Sequence, residues 1–196
     1  MILGRRNVLP DRDHPPSPTA PAAALPRVLL VLGGARSGKS RYAEGVIEAA
    51  ACPALYLATA EPGDGEMEER IRRHRARRGR RWTTLEEPLE LAASLARESR
   101  PGRPILVDCL TLWLANLLAA GRAVDQEAAA LVEVLGALAG PVVLVANEVG
   151  LGIVPENALA RAFRDHAGRL NQAVAARASR VVFIAAGLPL VLKEQG

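Results

Sequence analysis

Five apolar runs recur along the chain: RVLLVL (27–32), ALYLAT (54–59), PILVDC (104–109), PVVLVA (141–146) and RVVFIAA (180–186). Each is continuous rather than alternating, which predicts strands covered on both faces, as in parallel sheets. Helix-like stretches fall between them, near 38–50, 65–79, 88–99, 110–138 (read as two helices) and 157–177. This alternation predicts an α/β fold built on a doubly wound, mostly parallel sheet. RWTTLEE (81–87) adds a short edge strand, and GLPLVLK (187–193) reads as a last strand. Residues 1–26 hold six prolines and little apolar periodicity, so they are expected to form a disordered tail. Residues 27–196 are expected to form a single domain. Ligands of such sheets bind beyond the carboxyl ends of the strands. That directs attention to the segments after residues 32, 59, 108, 146 and 186.

Composition narrows the class. With 196 residues, 49% hydrophobic and 23% charged, the chain can build one substantial core. No apolar run reaches the ~18 residues of a membrane span. Arg5-Arg6 is followed by Asp11, Arg12, Asp13 and His14, where an export signal would need an apolar stretch. A cytoplasmic protein is expected. Cys52 and Cys109 form no disulfide or metal pattern, and Cys109, after an apolar run, reads as small core filler.

The sharpest signal is GGARSGKS (33–40), which follows the first apolar run and precedes a predicted helix. It has the spacing of a phosphate loop, with Gly33, Gly38, Lys39 and Ser40 at the fixed places and Gly34, Ala35, Arg36 and Ser37 between. Glycines let the backbone close around phosphate oxygens, toward which successive N–H groups and the helix N-terminus then point. The choice of lysine is informative in itself. The chain has 23 arginines and only two lysines, Lys39 and Lys193. A compact ammonium can reach between β- and γ-phosphates where a planar guanidinium does not fit. Ser40 would offer its hydroxyl to Mg²⁺, and Asp108, ending PILVD, would offer a carboxylate to the same ion. Asp also favours helix caps and turns, but a phosphate loop already calls for a metal. The fold expected is therefore that of a phosphate-loop NTPase, RecA-like, carrying a basic helical flap.

That flap is the predicted helix in GDGEMEERIRRHRARRGRRW (63–82). Eight arginines lie in residues 70–81; without them 17 basic residues would face 21 acidic ones, instead of the net +4 of the whole chain. Arg70, His74, Arg77 and Arg81 share one helical face. A solvated charged face is one reading. A nucleic-acid surface is another, but aromatic content is only 3%, and no aromatic row accompanies the patch for base stacking. The third places the arginines around a nucleoside triphosphate, where they neutralise phosphate oxygens and hold an embedded histidine neutral. A neutral imidazole in that setting suits attack on phosphorus. His14 lies in the tail, and His166 lies in a mainly helical stretch that suits a surface or core role.

The segments GGARSGKSRYAE, EMEERIRRHRARRGRRWTTLEEP, DCLTLWLANLL, NEVGLGIVPENALARAFRDHAGRLNQ and GLPL, in order over about residues 27–193, resemble the bifunctional adenosylcobinamide kinase / adenosylcobinamide-phosphate guanylyltransferase family of cobalamin biosynthesis. The resemblance implies phosphorylation of the aminopropanol hydroxyl of adenosylcobinamide by GTP or ATP. It then implies attack by a histidine on the α-phosphate of GTP and transfer of GMP to adenosylcobinamide phosphate. His74 falls on the family's guanylylated position and residues 33–40 on its phosphate loop. Ala58, Thr59, Ala60, Arg75, Ala76, Arg77, Arg78 and Glu86 fall on positions used around the nucleotide, and Asp108 on an acidic position after the strand. Arg73 stands where some relatives have a second histidine. The family also suggests a homo-oligomer. Two rivals remain on sequence alone: a single-activity phosphate-loop kinase with a passive His74, and a RecA-like ATPase module using the patch for nucleic acid. Asn147 and Glu148, opening NEVGLGIVPEN after the fourth run, should face the ligand crevice. Glu148 either orients the substrate hydroxyl or metal, or belongs to a structural loop.

Overall fold

A computed structural model describes residues 25–60 and 79–195. The proline-rich segment apart from its last two residues, and the expected basic helix apart from residue 79, lie outside the described residues. With them go His74, Arg75, Ala76, Arg77 and Arg78. The described elements run β1 (Val28–Gly33), α1 (Lys39–Glu48), β2 (Ala54–Ala58), β3 (Trp82–Glu86), α2 (Leu91–Glu98) and β4 (Ile105–Asp108). They continue through α3 (Leu110–Ala119), α4 (Val124–Ala137), β5 (Val142–Asn147), α5 (Ala158–Arg177), β6 (Arg180–Ala185) and β7 (Leu188–Glu194). All five apolar runs are strands, and the two weaker strand expectations, RWTTLEE and GLPLVLK, are the two edges. The sheet order is β3-β2-β4-β5-β1-β6-β7, parallel throughout except for β7, which runs antiparallel to β6.

The continuous apolar runs are explained by what covers each face. Val28, Leu30 and Leu32 of β1 point to one face with Leu144, Trp113, Leu131 and Leu170. Leu29 and Val31 point to the other with Ala43 and Ile47 of α1. Helices α2, α3, α4 and α5 thus cover one side of the sheet, and α1 packs on the opposite side. Trp113 is fully buried, and its Nε1 donates to Leu89 O at 2.8 Å, so the indole's one polar atom is satisfied.

Helix ends are held by recognisable groups. Asn157 caps α5 by accepting from Ala160 N at 2.7 Å. Arg27 donates to Gly136 O and Leu138 O at the end of α4. Lys193, the second of the two lysines, donates to Ala175 O and Ala176 O at the end of α5. One lysine therefore opens a helix and the other closes one.

Glu87 ties the turn before α2. Its Oε1 accepts from Leu89 N and Glu90 N, and its Oε2 accepts from Ser94 Oγ. Partial burial alone would raise its pKa, but the Glu90 and Leu89 amides, the Ser94 hydroxyl and the Arg97 charge outweigh burial and hold it below its ordinary value. A depressed carboxyl stabilises the fold above its unfolded-state pKa, and that contribution is lost as pH falls through the folded-state pKa. Glu87→Gln is therefore expected to lower the melting temperature near neutral pH. It is also expected to flatten the fall of melting temperature at pH below about 4.5. A parallel acid limb in parent and variant melting curves would refute this role.

The chain leaves β1 through α1 toward β2 on one side of the sheet, and leaves β5 through α5 toward β6 on the other. Neighbouring strands whose connections diverge in this way define the topological switch point, where a crevice opens beyond the strand ends. Here it lies between the carboxyl ends of β1 and β5.

Candidate active site at the carboxyl ends of the strands

Residues 33–40 occupy that crevice. Gly33 has φ 152, and a Cβ there would stand 2.4 Å from Ile184 O and 2.8 Å from Ser37 Oγ. Glycine is required for the loop to pass this close to β6. Arg36 and Gly38 also have positive φ, at 54 and 101, a sequence of backbone conformations that turns N–H groups into a concave anion nest. Gly38 is the N-cap of α1 and offers no side chain, so the first amides of the helix are left to an incoming anion. Lys39 is only 7% exposed, and its Nζ donates to Gly34 O at 2.6 Å across the loop. Ser37 Oγ is buried without a hydrogen-bond partner. An orphaned hydroxyl, open helix amides and a buried ammonium gathered in one loop match the oxygens of a polyphosphate.

The β6–β7 turn supports the loop from behind. Its two residues, Ala186 and Gly187, both have positive φ, the signature of a tight hairpin turn. Gly187 N donates to Ser37 O at 2.9 Å. The sequence reading singled out the strand that follows but missed this brace.

Asp108 ends β4. It does not cap α3, whose N-cap is Cys109. Its Oδ2 accepts from Tyr56 Oη on β2 at 3.0 Å. Strand alternation places Asp108 on the face shared by Leu106, Tyr56 and α1, the helix that begins with Lys39 and Ser40. Among the described residues no three His, Cys, Asp or Glu side chains gather into a metal cage. One hydroxyl and one carboxylate form the oxygen set suited to a Mg²⁺ that arrives on phosphates and keeps several waters. Next to Asp108, the Cys109 thiol is pushed up to about 11, chiefly by burial and further by the Asp108 charge. It stays protonated and serves as filler, as its place in the sequence indicated.

Thr59 has a structural task. It is fully buried, and its Oγ1 accepts from Cys109 N and donates to Cys109 O, both at 2.8 Å. Asn116 Nδ2 donates to Thr59 O and Pro88 O. The hydroxyl thus latches the ends of β2 and β4 together, and neighbouring Ala58 and Ala60 remain partly exposed. Glu86 ends β3 at the outer edge, paired in register with Ala58.

At the end of β5, Asn147 N donates to Thr111 Oγ1 at 2.7 Å and Asn171 Nδ2 to Asn147 O at 3.4 Å. Glu148 N donates to Gly33 O at 3.0 Å, directly below the phosphate loop. Beyond it Leu151, Ile153, Val154 and Leu159 are largely exposed, Ile153 by 98%. Neither Thr111, Asn116 nor Asn171 was singled out in the sequence; polar residues on apolar helices were the one available signal. The structure thus brings residues 33–40, Asp108, Asn147 and Glu148 to neighbouring strand ends. Glu86 stands apart at the edge.

The sheet order, the switch point and the loop define a phosphate-loop nucleotide-binding protein of the RecA-like type. Solved structures agree at the level of fold. The ATPase EscN of the enteropathogenic E. coli type III secretion system is 11% identical with a TM-score of 0.53, over 82% of this chain and 43% of that one. A Pyrococcus horikoshii OT3 protein is 12% identical with a TM-score of 0.53, over 89% and 90%. Within that class the chain belongs to the cobinamide kinase / cobinamide phosphate guanyltransferase family, matched over residues 29–192. It is 55% identical over 168 residues to the bifunctional adenosylcobalamin biosynthesis protein CobP of Pseudomonas aeruginosa, covering 85% of this chain and 97% of that one. It is 41% identical to the corresponding CobU protein of Salmonella typhimurium, over 85% and 99%. The chain is accordingly a bifunctional transferase of cobalamin biosynthesis, a kinase and a guanylyltransferase, and no helix among the described residues is long and apolar enough to cross a membrane.

Proposed function

We propose that this protein phosphorylates the aminopropanol hydroxyl of adenosylcobinamide with the γ-phosphate of GTP or ATP, and then transfers GMP from GTP to the product through a guanylylated His74. The observation that carries the kinase half is the buried Lys39 ammonium folded over an uncapped helix start at the switch point. In phosphoryl transfer the protein chiefly positions the reactants and stabilises charge. Lys39 would sit against the β- and γ-phosphates while the amides of residues 34–40 hold their oxygens. Ser40 and Asp108 would hold Mg²⁺, which supplies charge neutralisation on the phosphates. Ala58, Ala60, Glu86 and Arg75–Arg78 would line the nucleotide, Thr59 fixing the backbone beneath it. Leu151, Ile153 and Val154, in the segment that follows Glu148, are exposed and would suit a bulky macrocyclic acceptor.

Several broader expectations join this reading. Residues 27–196 act as one nucleotide-binding domain behind a proline-rich segment, in the cytoplasm and without a nucleic-acid partner. A homo-oligomer is supported by the edge strand β7, where Leu188, Leu190, Val191 and Leu192 are all exposed. The deciding experiment incubates the protein with labelled GTP, with and without adenosylcobinamide. Corrinoid-dependent phosphate transfer followed by appearance of adenosylcobinamide-GDP is expected. GTP turnover indifferent to the corrinoid would refute the reading.

A further inference from the structure

We propose that Glu148 is the carboxylate that holds and deprotonates the acceptor hydroxyl in the phosphoryl-transfer step. The proposal rests on the kinase reading above and names the residue that completes it. Transfer to an alcohol leaves a proton to be removed, and a positioned carboxylate within hydrogen-bond reach can take it.

Four acidic residues stand at the carboxyl ends of the described parallel strands: Glu86, Glu87, Asp108 and Glu148. Glu87 is committed to two backbone amides and Ser94. Asp108 is bonded to Tyr56 and lies beside Ser40's helix, where a cation is needed. Glu86 ends β3, four places from β1 in the sheet order. At a strand spacing of about 4.8 Å that is roughly 19 Å from the phosphate loop. Glu148 lies one strand away. Its own amide bonds Gly33 O, the residue that opens the loop, at the crevice between β1 and β5. In register, Gly33 faces Asn147 while Asp108 faces Val145. Glu148 therefore stands three residues, about 10 Å, further out along the strand direction than the carboxylate assigned to the cation. An acceptor that enters the crevice from beyond the strand ends would meet Glu148 on that side. Asn147 beside it cannot accept a proton.

The carboxylate is held rather than loose. Oε1 accepts from Gly150 N at 2.7 Å, within its own loop. That bond uses one oxygen and leaves Oε2 for the acceptor. In the step, the hydroxyl proton passes to the Glu148 carboxylate as the hydroxyl oxygen bonds the γ-phosphorus. The bond from the γ-phosphorus to the β–γ bridging oxygen breaks, its electron pair leaves on the nucleoside diphosphate, and Glu148 then releases the proton to water.

The bond to Gly150 supplies the control. Glu148→Gln keeps an Oε1 acceptor for Gly150 N and so keeps the loop, but cannot take a proton; Glu148→Ala loses both. With the full chain, GTP and adenosylcobinamide in steady state, both variants are expected to lose about 10²–10³ in kcat for phosphorylation. KM for GTP and for the corrinoid should stay within about threefold, because a proton acceptor acts in the transition state and not in uniform binding. A Gln variant with the parent's kcat beside an impaired Ala variant would show a loop tie and overturn the proposal. So would a loss confined to the corrinoid KM. A parent that does not phosphorylate the corrinoid would refute the kinase reading itself, whereas an active parent with an equally active Gln variant refutes the role of Glu148 alone.

Discussion

Lys39→Ala is expected to reduce phosphorylation of adenosylcobinamide by at least about 10³-fold, measured as transfer of label from γ-labelled GTP to the corrinoid. Removing one preorganised donor from a water-poor site commonly costs about 10²–10³ in rate, and Lys39 supplies a full charge as well as a donor. Lys39 is buried and its ammonium is already tied across the loop to Gly34 O, so its alignment is prepaid before the nucleotide arrives. The fold should survive the change. The loop's course is set by Gly33 and Gly38 and by the Gly187 amide on Ser37 O, none of which depends on the lysine. Lys39→Arg is expected to fail nearly as badly despite keeping the charge, because a planar guanidinium cannot fill the place of a compact ammonium. A folded Lys39→Ala protein with near-parent turnover would remove the phosphate loop from the mechanism.

The contrast between the two ends of this site shows what a sequence can carry. The phosphate loop was legible because its parts are consecutive: Gly33, Gly38, Lys39 and Ser40 reach one point through local backbone geometry alone. Asp108 was legible by position, since an acid that ends an apolar strand must emerge at the sheet edge. Its hydrogen bond to Tyr56 was not legible, because 52 residues separate the two and only the register of β2 against β4 joins them. Thr59 illustrates the same limit. Family resemblance placed it near the nucleotide, and only the pairing of strand ends reveals that its hydroxyl is spent on Cys109. The five central strands were readable from burial on both faces. The edge strand β7 was readable as a strand, but its exposed Leu188, Leu190, Val191 and Leu192 were not. Apolar residues look alike in a sequence whether they line a core or an open edge. The arginine-rich stretch was singled out by charge alone.

For His74 the expected result is an all-or-none change in labelling. GTP labelled at the α-phosphate should leave label on the parent protein, and GTP labelled at the γ-phosphate should not. His74→Asn should retain neither. The chain has three histidines. His166 lies on α5, on the face of the sheet opposite α1, with Nδ1 bonded to Arg169 at 2.9 Å and 3.4 Å from Asp125. It is occupied and far from the loop's helix, and His14 belongs to the proline-rich segment. His74 stands in a sequence with arginines on both sides, and neighbouring positive charge favours the neutral imidazole, the form that can attack phosphorus. In the proposed step a ring nitrogen would bond the α-phosphorus as the α–β phosphoanhydride bond breaks and pyrophosphate leaves. The phosphate oxygen of adenosylcobinamide phosphate would then bond the same phosphorus as the nitrogen–phosphorus bond breaks, freeing the histidine. The adduct should be labile in acid and stable in base, as a phosphoramidate is. Guanylyl transfer by His74→Asn should fall to background, while phosphorylation continues, since Lys39, Ser40 and Asp108 are untouched. Arg75→Ala and Arg77→Ala should instead raise the GTP concentration needed for labelling without abolishing it, as expected of residues that would bind phosphate and not carry the guanylyl group. Equal labelling of the His74→Asn protein and its parent would place the nucleophile elsewhere and return the chain to a kinase with a passive basic segment.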